Sequence, residues 1–420
     1  MREAEATAAR SAAVREGGRA AGRSRWDVVA LGVAAGVMIG IAVGKVPPAM
    51  AVISADFGLD KVTTGWLASI FFAFGAASSV LTGMTGGRVG ERSLLLIGLA
   101  VLALGGALGA ASTSGSMLLA LRVIEGIGFA TITVAVPKLV VDATGPRDRD
   151  LALGIWSTYM PVGMAIAMVV TPFLLPALGW RGVWLIGAGA TAGVALWAFV
   201  GTTQRRWPDQ PRRDPAAGFD WAGVRATLPR GALWLYAGTF VLFTVQWFAV
   251  AAWLPTFLTE TQGRSALTAA LFSALVVGTN AIGNLSGAWL LHHGAPRWTL
   301  IAGANVIMGV TGALVLAGFM PEDSKIPIAI IFSMGSGVLP AAGFSGAAQH
   351  APKPQLIAMA SGFIMQGAAI GMLAGPPLLA AVVSGFGGWE AAWWTMLICP
   401  AISLCLTMGI LRRERGRLRE

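Results

Sequence analysis

The chain has 420 residues, 55% of them hydrophobic and only 12% charged, with a net charge of +10 and a mean hydropathy of +0.71. A soluble domain carries about 25% charged residues, so this is the composition of a polytopic membrane protein. The basic residues sit in tails and short loops between apolar runs, which is a topology signal and speaks against a nucleic-acid surface.

Residues 1–26 hold six arginines and no apolar core, and they read as a cytoplasmic N-terminal tail without a signal peptide. Twelve apolar runs follow, each about the 20 residues a spanning helix needs. They fall near 27–49, 64–86, 93–112, 117–139, 151–175 and 182–201, then 231–256, 267–291, 298–319, 326–347, 356–383 and 389–411. The one long polar stretch between runs separates six from six. The pattern predicts an all-α polytopic membrane protein of two six-helix bundles, at 27–201 and 231–411. A cytoplasmic central loop (202–230) joins them, and a basic tail (412–420) ends the chain.

One set of connections carries the N-tail arginines, Arg88, Arg92, Lys138, Arg147, Arg149, the central loop, Arg297, Lys353 and the C-tail arginines. The opposite set carries only Lys61, Arg181, Arg264 and Lys325. The rich side is expected to be cytoplasmic, with both termini inside a bacterial inner (plasma) membrane. The halves also echo each other. "GMTGGRVG" closes the second run and "GAWLLHHG" the eighth, with the same Gly-to-Gly spacing.

From about Trp26 to Arg413 the chain resembles the major facilitator superfamily. "GMTGGRVGER" is similar to that superfamily's loop between the second and third helices, through Gly83, Arg88, Gly90 and Arg92. Gly87 stands where the family places an acidic residue. "RVIEGIGFA" is similar to the fourth-helix motif, through Arg122, Gly126 and Gly128. The fifth run starts the drug-antiporter spacing at Gly154 and Gly163 and then departs from it. "QWFAVAAWLPTFL" and "SGFIMQGAAIGMLAGPP" resemble the cyanate-porter and nitroimidazole-transporter branch, through Gln246, Trp253, Pro255, Ser361, Gln366, Gly375 and Pro376. The resemblance implies a twelve-helix transporter working by alternating access, without a cofactor, as a functional monomer in the lipid bilayer. Gly83, Arg88, Gly90, Arg92, Gly126 and Gly128 would serve the conformational change.

Charged groups within spans are expensive and tend to mark pathways. Lys45, Arg122, Glu125 and Lys138 are such groups, all in the first half. The second half offers Gln246, Asn280, Asn284 and Gln366. A cationic wall facing an amide wall suits a small anionic solute, with Lys45 and Arg122 attracting it and Gln246, Gln366 and Asn280 orienting it. Lys45, just before Pro47 and Pro48, either faces this cavity or snorkels to the outer interface. Arg122 and Glu125, three apart, share a helix face. They form either a static ion pair or one that a solute or proton releases. Glu125 is the candidate for proton coupling, as the only carboxylate well inside a predicted span. Lys138 reads as a topology residue, and His292, His293 and His350 as loop residues facing water. The stripe Gly32, Gly36, Gly40 and Gly44 reads as a close helix contact. Cys399 and Cys405 read as packing residues.

No nucleotide-binding motif, metal spacing or catalytic set is visible, so no enzyme activity is expected. The sequence predicts a secondary active transporter of a small, anionic solute, coupled to protons. Two alternatives remain open: efflux of an amphipathic drug or metabolite, and a non-transporting membrane sensor.

Overall fold

The computed structural model describes residues 24–85, 90–145, 147–204, 221–353 and 356–417. Among the described residues the regular structure is helical, with no strand. Eleven helices among these residues are long and apolar enough to cross a membrane. One of them, Tyr159–Gly201, is 43 residues long, about twice the need of a single crossing. Gly179 breaks it at φ 63° and ψ 178°, a conformation that glycine adopts without a Cβ clash. The break divides it into two spans and brings the total among the described residues to twelve, in two six-helix bundles.

In chain order the spans are α1 (Trp26–Phe57), α2 (Lys61–Val80), α3 (Glu91–Ala110), α4 (Gly115–Ala143), α5 (159–178) and α6 (180–201). Then follow α7 (Gly231–Gln262), α8 (Ala266–His292), α9 (Arg297–Leu316), α10 (Glu322–His350), α11 (Met359–Gly385) and α12 (Trp389–Arg415).

The first span is longer than the sequence predicts. Pro47 and Pro48 suggest its end near residue 49, yet the helix continues to Phe57 and closes at Gly58, φ 63°. The reason is local. Lys45 keeps helical angles, φ −67° and ψ −24°. The prolines then occupy the first turn of the continuing segment, where a missing N–H costs least. Lys45 therefore has nineteen helical residues before it and twelve after it. It sits in mid-helix, which corrects its expected place near the outer end.

The glycine stripe on α1 makes the close contact expected of it. A Cβ on Gly40 would lie 2.6 Å from Gly163 Cα and 2.9 Å from the Met160 carbonyl oxygen, so α1 and α5 touch backbone to backbone there. Between the bundles, α2 packs on α11, α5 on α8, and the second part of α1 on α7.

The bundles are joined at both ends. At the end opposite the termini, Lys61 on α2 meets Glu260 on α7 at 2.7 Å, and Trp389 Nε1 donates to the same carboxylate at 2.7 Å. The other three basic residues of that end also pair with carboxylates: Arg181 with Asp56, Arg264 with Asp323 and Lys325 with Glu322. At the end that carries the termini, the Val80 N–H donates to Gln366 Oε1 at 3.3 Å, and Asn284 Nδ2 to the Ser157 carbonyl at 3.3 Å.

Candidate functional site

Three of the charged residues singled out in the sequence converge inside the first bundle. Lys45 Nζ on α1 donates to Glu125 Oε1 on α4 at 2.9 Å. Arg122 Nη1, one turn before Glu125, donates to Glu125 Oε2 and to the Ala42 carbonyl, the latter at 3.0 Å. All three side chains are at most 3% exposed. Isolated buried charges cost several kcal/mol each, so a carboxylate between two cations is the arrangement that makes the group tolerable. Two cations share one carboxylate, which leaves one positive charge in excess.

The chain makes room for this triad with small residues. Its prolines deprive the Val43 and Gly44 carbonyls of their usual donors, just beside Lys45. On α3, a Cβ at Gly106 would come within 3.0 Å of Glu125 Oε1 and 3.8 Å of Lys45 Nζ. From α6, the ring of Trp184 lies 4.3 Å from Lys45 Nζ, a cation–π contact. A cavity of about 10 Å³ remains, lined among others by Lys45, Gly106, Glu125, Ala188 and Thr191. That is at the lower limit for one water molecule.

The Arg122 guanidinium is only half used. Nη1 makes both of its hydrogen bonds, while Nε and Nη2 are buried and have no partner. These two atoms form one edge of the planar group, the edge that takes a carboxylate or sulfonate in two parallel hydrogen bonds. The guanidinium carbon lies 4.6 Å from the ring centre of Phe71. A ring face stacks but cannot satisfy in-plane N–H groups. Gly126 seats this ring, because a Cβ there would collide with the Phe71 carbonyl oxygen.

Phe71 belongs to a short 3₁₀ turn, Ile70–Phe72, that interrupts α2. Its ring leads into an aromatic cluster. Phe71 and Phe72 are 5.2 Å apart, Phe72 and Phe129 5.3 Å, and Phe72 and Phe248 5.0 Å, with ring planes near perpendicular. Phe72 lies on the first bundle and Phe248 on the second, so this contact crosses between them.

The expected amide wall does not form around the triad. Asn280 Nδ2 donates to the Ser333 carbonyl at 3.0 Å and to Ser336 Oγ at 2.9 Å, tying α8 to α10. Gln366 takes the Val80 N–H, and so belongs to the joint between bundles. Gln246 Nε2 turns back to the Leu242 carbonyl at 3.3 Å, while its Oε1 is buried without a partner. Polar side chains on apolar helices bond to whichever backbone or hydroxyl lies nearest, and here that is mostly within their own bundle.

Of the motif residues, Gly128 packs against the Gly98 carbonyl oxygen on α3 at 2.6 Å for an added Cβ. Gly90 precedes α3 at φ 80°, Arg92 lies in its first turn, and Gly83 lies in the helix that extends α2 to Thr85. Arg88 falls outside the described residues. Lys138 is half exposed and pairs with Glu91 and, at 3.4 Å, Asp142. Glu91 is buried at the first residue of α3, outside the run 93–112 predicted for that span. His350 is corrected: it is buried at the end of α10, with Nδ1 2.9 Å from the Gly346 carbonyl oxygen and its ring against Tyr236.

Sequence alone places Trp184 near a span end, as an interfacial anchor, and gives no role to Phe71, Phe129 or Phe248. Each is one aromatic residue among many in apolar runs. Only the three-residue spacing of Arg122 from Glu125 gave a local signal.

Residues 32–376 match the family model described as the Major Facilitator Superfamily. The chain belongs to this superfamily. A Bacillus subtilis protein named for niacin/nicotinamide transport (NiaP) is 24% identical over 261 residues, 60% of this chain and 62% of that relative. A Cupriavidus necator protein named for sulfoacetate transport (SauU) is 28% identical over 252 residues, 54% of this chain and 56% of that relative. The multidrug efflux pump LfrA of Mycolicibacterium smegmatis is 32% identical over 139 residues, 33% of this chain and 28% of that pump. The matched region thus spans less than two thirds of the length of these relatives. A bacterial homolog of the human lysosomal transporter Spinster, solved inward-facing and occupied, shares the fold with a TM-score of 0.71 at 17% identity. The match covers 92% of this chain and 96% of that one. The chain is therefore a multi-pass membrane protein of this superfamily, and the relatives it matches are named as transporters.

Proposed function

We propose that this superfamily member carries a small organic anion by alternating access between its two bundles, and that Arg122 holds the anion. The unpaired Nε–Nη2 edge of Arg122, inside a buried triad with one excess positive charge, carries this reading. A bound carboxylate or sulfonate would neutralise that charge and satisfy both donors. The relative named for sulfoacetate transport supports the same class of solute, while the one named for niacin/nicotinamide transport is named for an anion and its neutral amide.

Glu125 is the proposed site of proton coupling. It holds both cations, so a solute that takes Arg122 weakens its hold on the carboxylate and opens Glu125 to a proton. An anion entering against an inside-negative potential is opposed by about 2.3 kcal/mol per charge per 100 mV, and a co-transported proton removes that term. Lys45 would then steady Glu125 more than touch the solute. Gln246, whose Oε1 is free, is retained as a solute contact; Asn280 and Gln366 act in packing and in the joint between bundles. The bacterial inner membrane, inside termini and a functional monomer complete the proposal.

The deciding experiment is thermal stabilisation of the purified chain by acetate, sulfoacetate, nicotinate and nicotinamide. Anions should raise the Tm of the wild type, and raise that of Arg122→Lys much less at the same concentration. If nicotinamide stabilises as well as nicotinate, the anion reading fails. Uptake that persists when the proton gradient is collapsed at constant membrane potential would remove the proton coupling.

The similarity to LfrA favours a second reading, export of an amphipathic compound, with the aromatic cluster as a permissive surface. A deletion strain with unaltered drug sensitivity would count against it.

A further inference from the structure

We infer that the solute carries a flat aromatic ring beside its anionic group, and that Phe72 and Phe248 close on that ring from opposite bundles. The inference rests on the anion reading of Arg122 and adds the body of the molecule to its charge.

The argument begins at the open edge of Arg122. Its guanidinium lies over Phe71, 4.6 Å from the ring centre, so an anion docked in the guanidinium plane extends over or beside that ring. Phe71 is 5.2 Å from Phe72 and 5.5 Å from Phe129. Phe71, the ring against Arg122, thus leads on to two further phenyl rings of the first bundle, all three buried. On the second bundle the next ring is Phe248, 5.0 Å from Phe72 and edge to face with it at 87°.

Alternating access separates the bundles, and separation must break the Phe72–Phe248 contact. Breaking it bares an edge on one bundle and a face on the other, one ring beyond the Phe71 that stacks on Arg122. An aromatic ring fits both, because phenyl groups attract one another through edge-to-face and offset geometries that an aliphatic group cannot reproduce. An aliphatic anion would satisfy Arg122 but leave both ring surfaces with a partner of the wrong electrostatic shape. The 3₁₀ turn at Ile70–Phe72 places Phe71 and Phe72 on the anion side of α2, and the missing Cβ of Gly126 lets that turn approach α4.

Four probes on the full-length purified chain test the idea: benzoate, cyclohexanecarboxylate, acetate and benzamide. Benzoate and cyclohexanecarboxylate match in charge and nearly in size, so only aromaticity separates them. We expect benzoate to bind at least tenfold more tightly than cyclohexanecarboxylate, by calorimetry or by Tm shift. Phe248→Leu should shrink that ratio to about twofold while leaving acetate binding unchanged. Phe72→Leu provides a second variant should the first fail to fold. Equal binding of benzoate and cyclohexanecarboxylate overturns the aromatic inference and leaves the anion reading standing. Benzamide binding as tightly as benzoate overturns the anion reading and the inference built on it. No response to any of the four overturns both.

Discussion

Lys61 and Glu260 are 199 residues apart in the chain and 2.7 Å apart in space, on opposite bundles. Their contact closes the end of the molecule away from the termini, with Trp389 hydrogen-bonded to the same carboxylate. The side chains are 30% and 42% exposed, and exposed ion pairs contribute at most about 1 kcal/mol. Lys61→Gln is therefore expected to raise the population open at that end by up to about fivefold. A cysteine placed at Phe72, in a background without Cys399 and Cys405, should react faster with an impermeant maleimide. Lys61→Glu combined with Glu260→Lys should restore the wild-type rate, and failure to do so would show that the pair does not hold that end closed.

Glu125 neutralises two buried cations at once. Glu125→Gln leaves both without a counter-charge, and removing one member of a buried pair costs about 3–5 kcal/mol. A marked fall in Tm is expected. Lys45→Met in the same chain should recover a large part of it, because only Arg122 then needs a partner. A double variant no more stable than Glu125→Gln would mean that Lys45 is not part of the same electrostatic unit.

Arg122→Lys keeps the charge and loses the fork. One charge-assisted hydrogen bond is worth about 1.5–3 kcal/mol, so anion affinity should drop by roughly 10- to 150-fold. Binding titrations with sulfoacetate and nicotinate give the readout. An unchanged affinity would move the anion away from this guanidinium.

Gly40 is the point at which α1 and α5 touch backbone to backbone. Valine there must push the helices apart, and overpacking of this kind costs about 1–3 kcal/mol. Gly40→Val should lower the Tm and broaden the monodisperse peak, whereas Gly189→Val on α6, where an added Cβ meets nothing within 4 Å, should change neither.

Much of the fold is legible in the sequence because bilayers impose a length. Spans of about 20 apolar residues give the helix number. The break at Gly179 falls in the gap left between the runs 151–175 and 182–201. One boundary escapes this logic: Pro47 and Pro48 look like a helix end, yet Lys45 stays helical and the prolines sit where the first turn tolerates them. The Arg122–Glu125 pairing is readable from its spacing. The addition of Lys45 is not, because 80 residues of chain separate it from Glu125. The amides mislead for a related reason. Asn280 and Gln366 find backbone and hydroxyl partners on neighbouring helices, and sequence does not record which helices are neighbours.

The length of α1 has a consequence for where the closing contact lies. Its 32 residues span about 48 Å at 1.5 Å per residue, against a hydrocarbon core about 30 Å thick. Even a tilted helix of this length carries its end past the lipid tails. Lys61 follows that end after a short turn, and the side chains of the Lys61–Glu260 contact are 30% and 42% exposed, within reach of the electrolyte on that face. The Debye length there is about 8 Å at physiological ionic strength and about 3 Å at 1 M. Salt added on that face of the membrane should therefore loosen the closure, and the same salt on the other face should leave it alone. A salt response confined to one face would mark this partly exposed ion pair as a contact that holds that end shut.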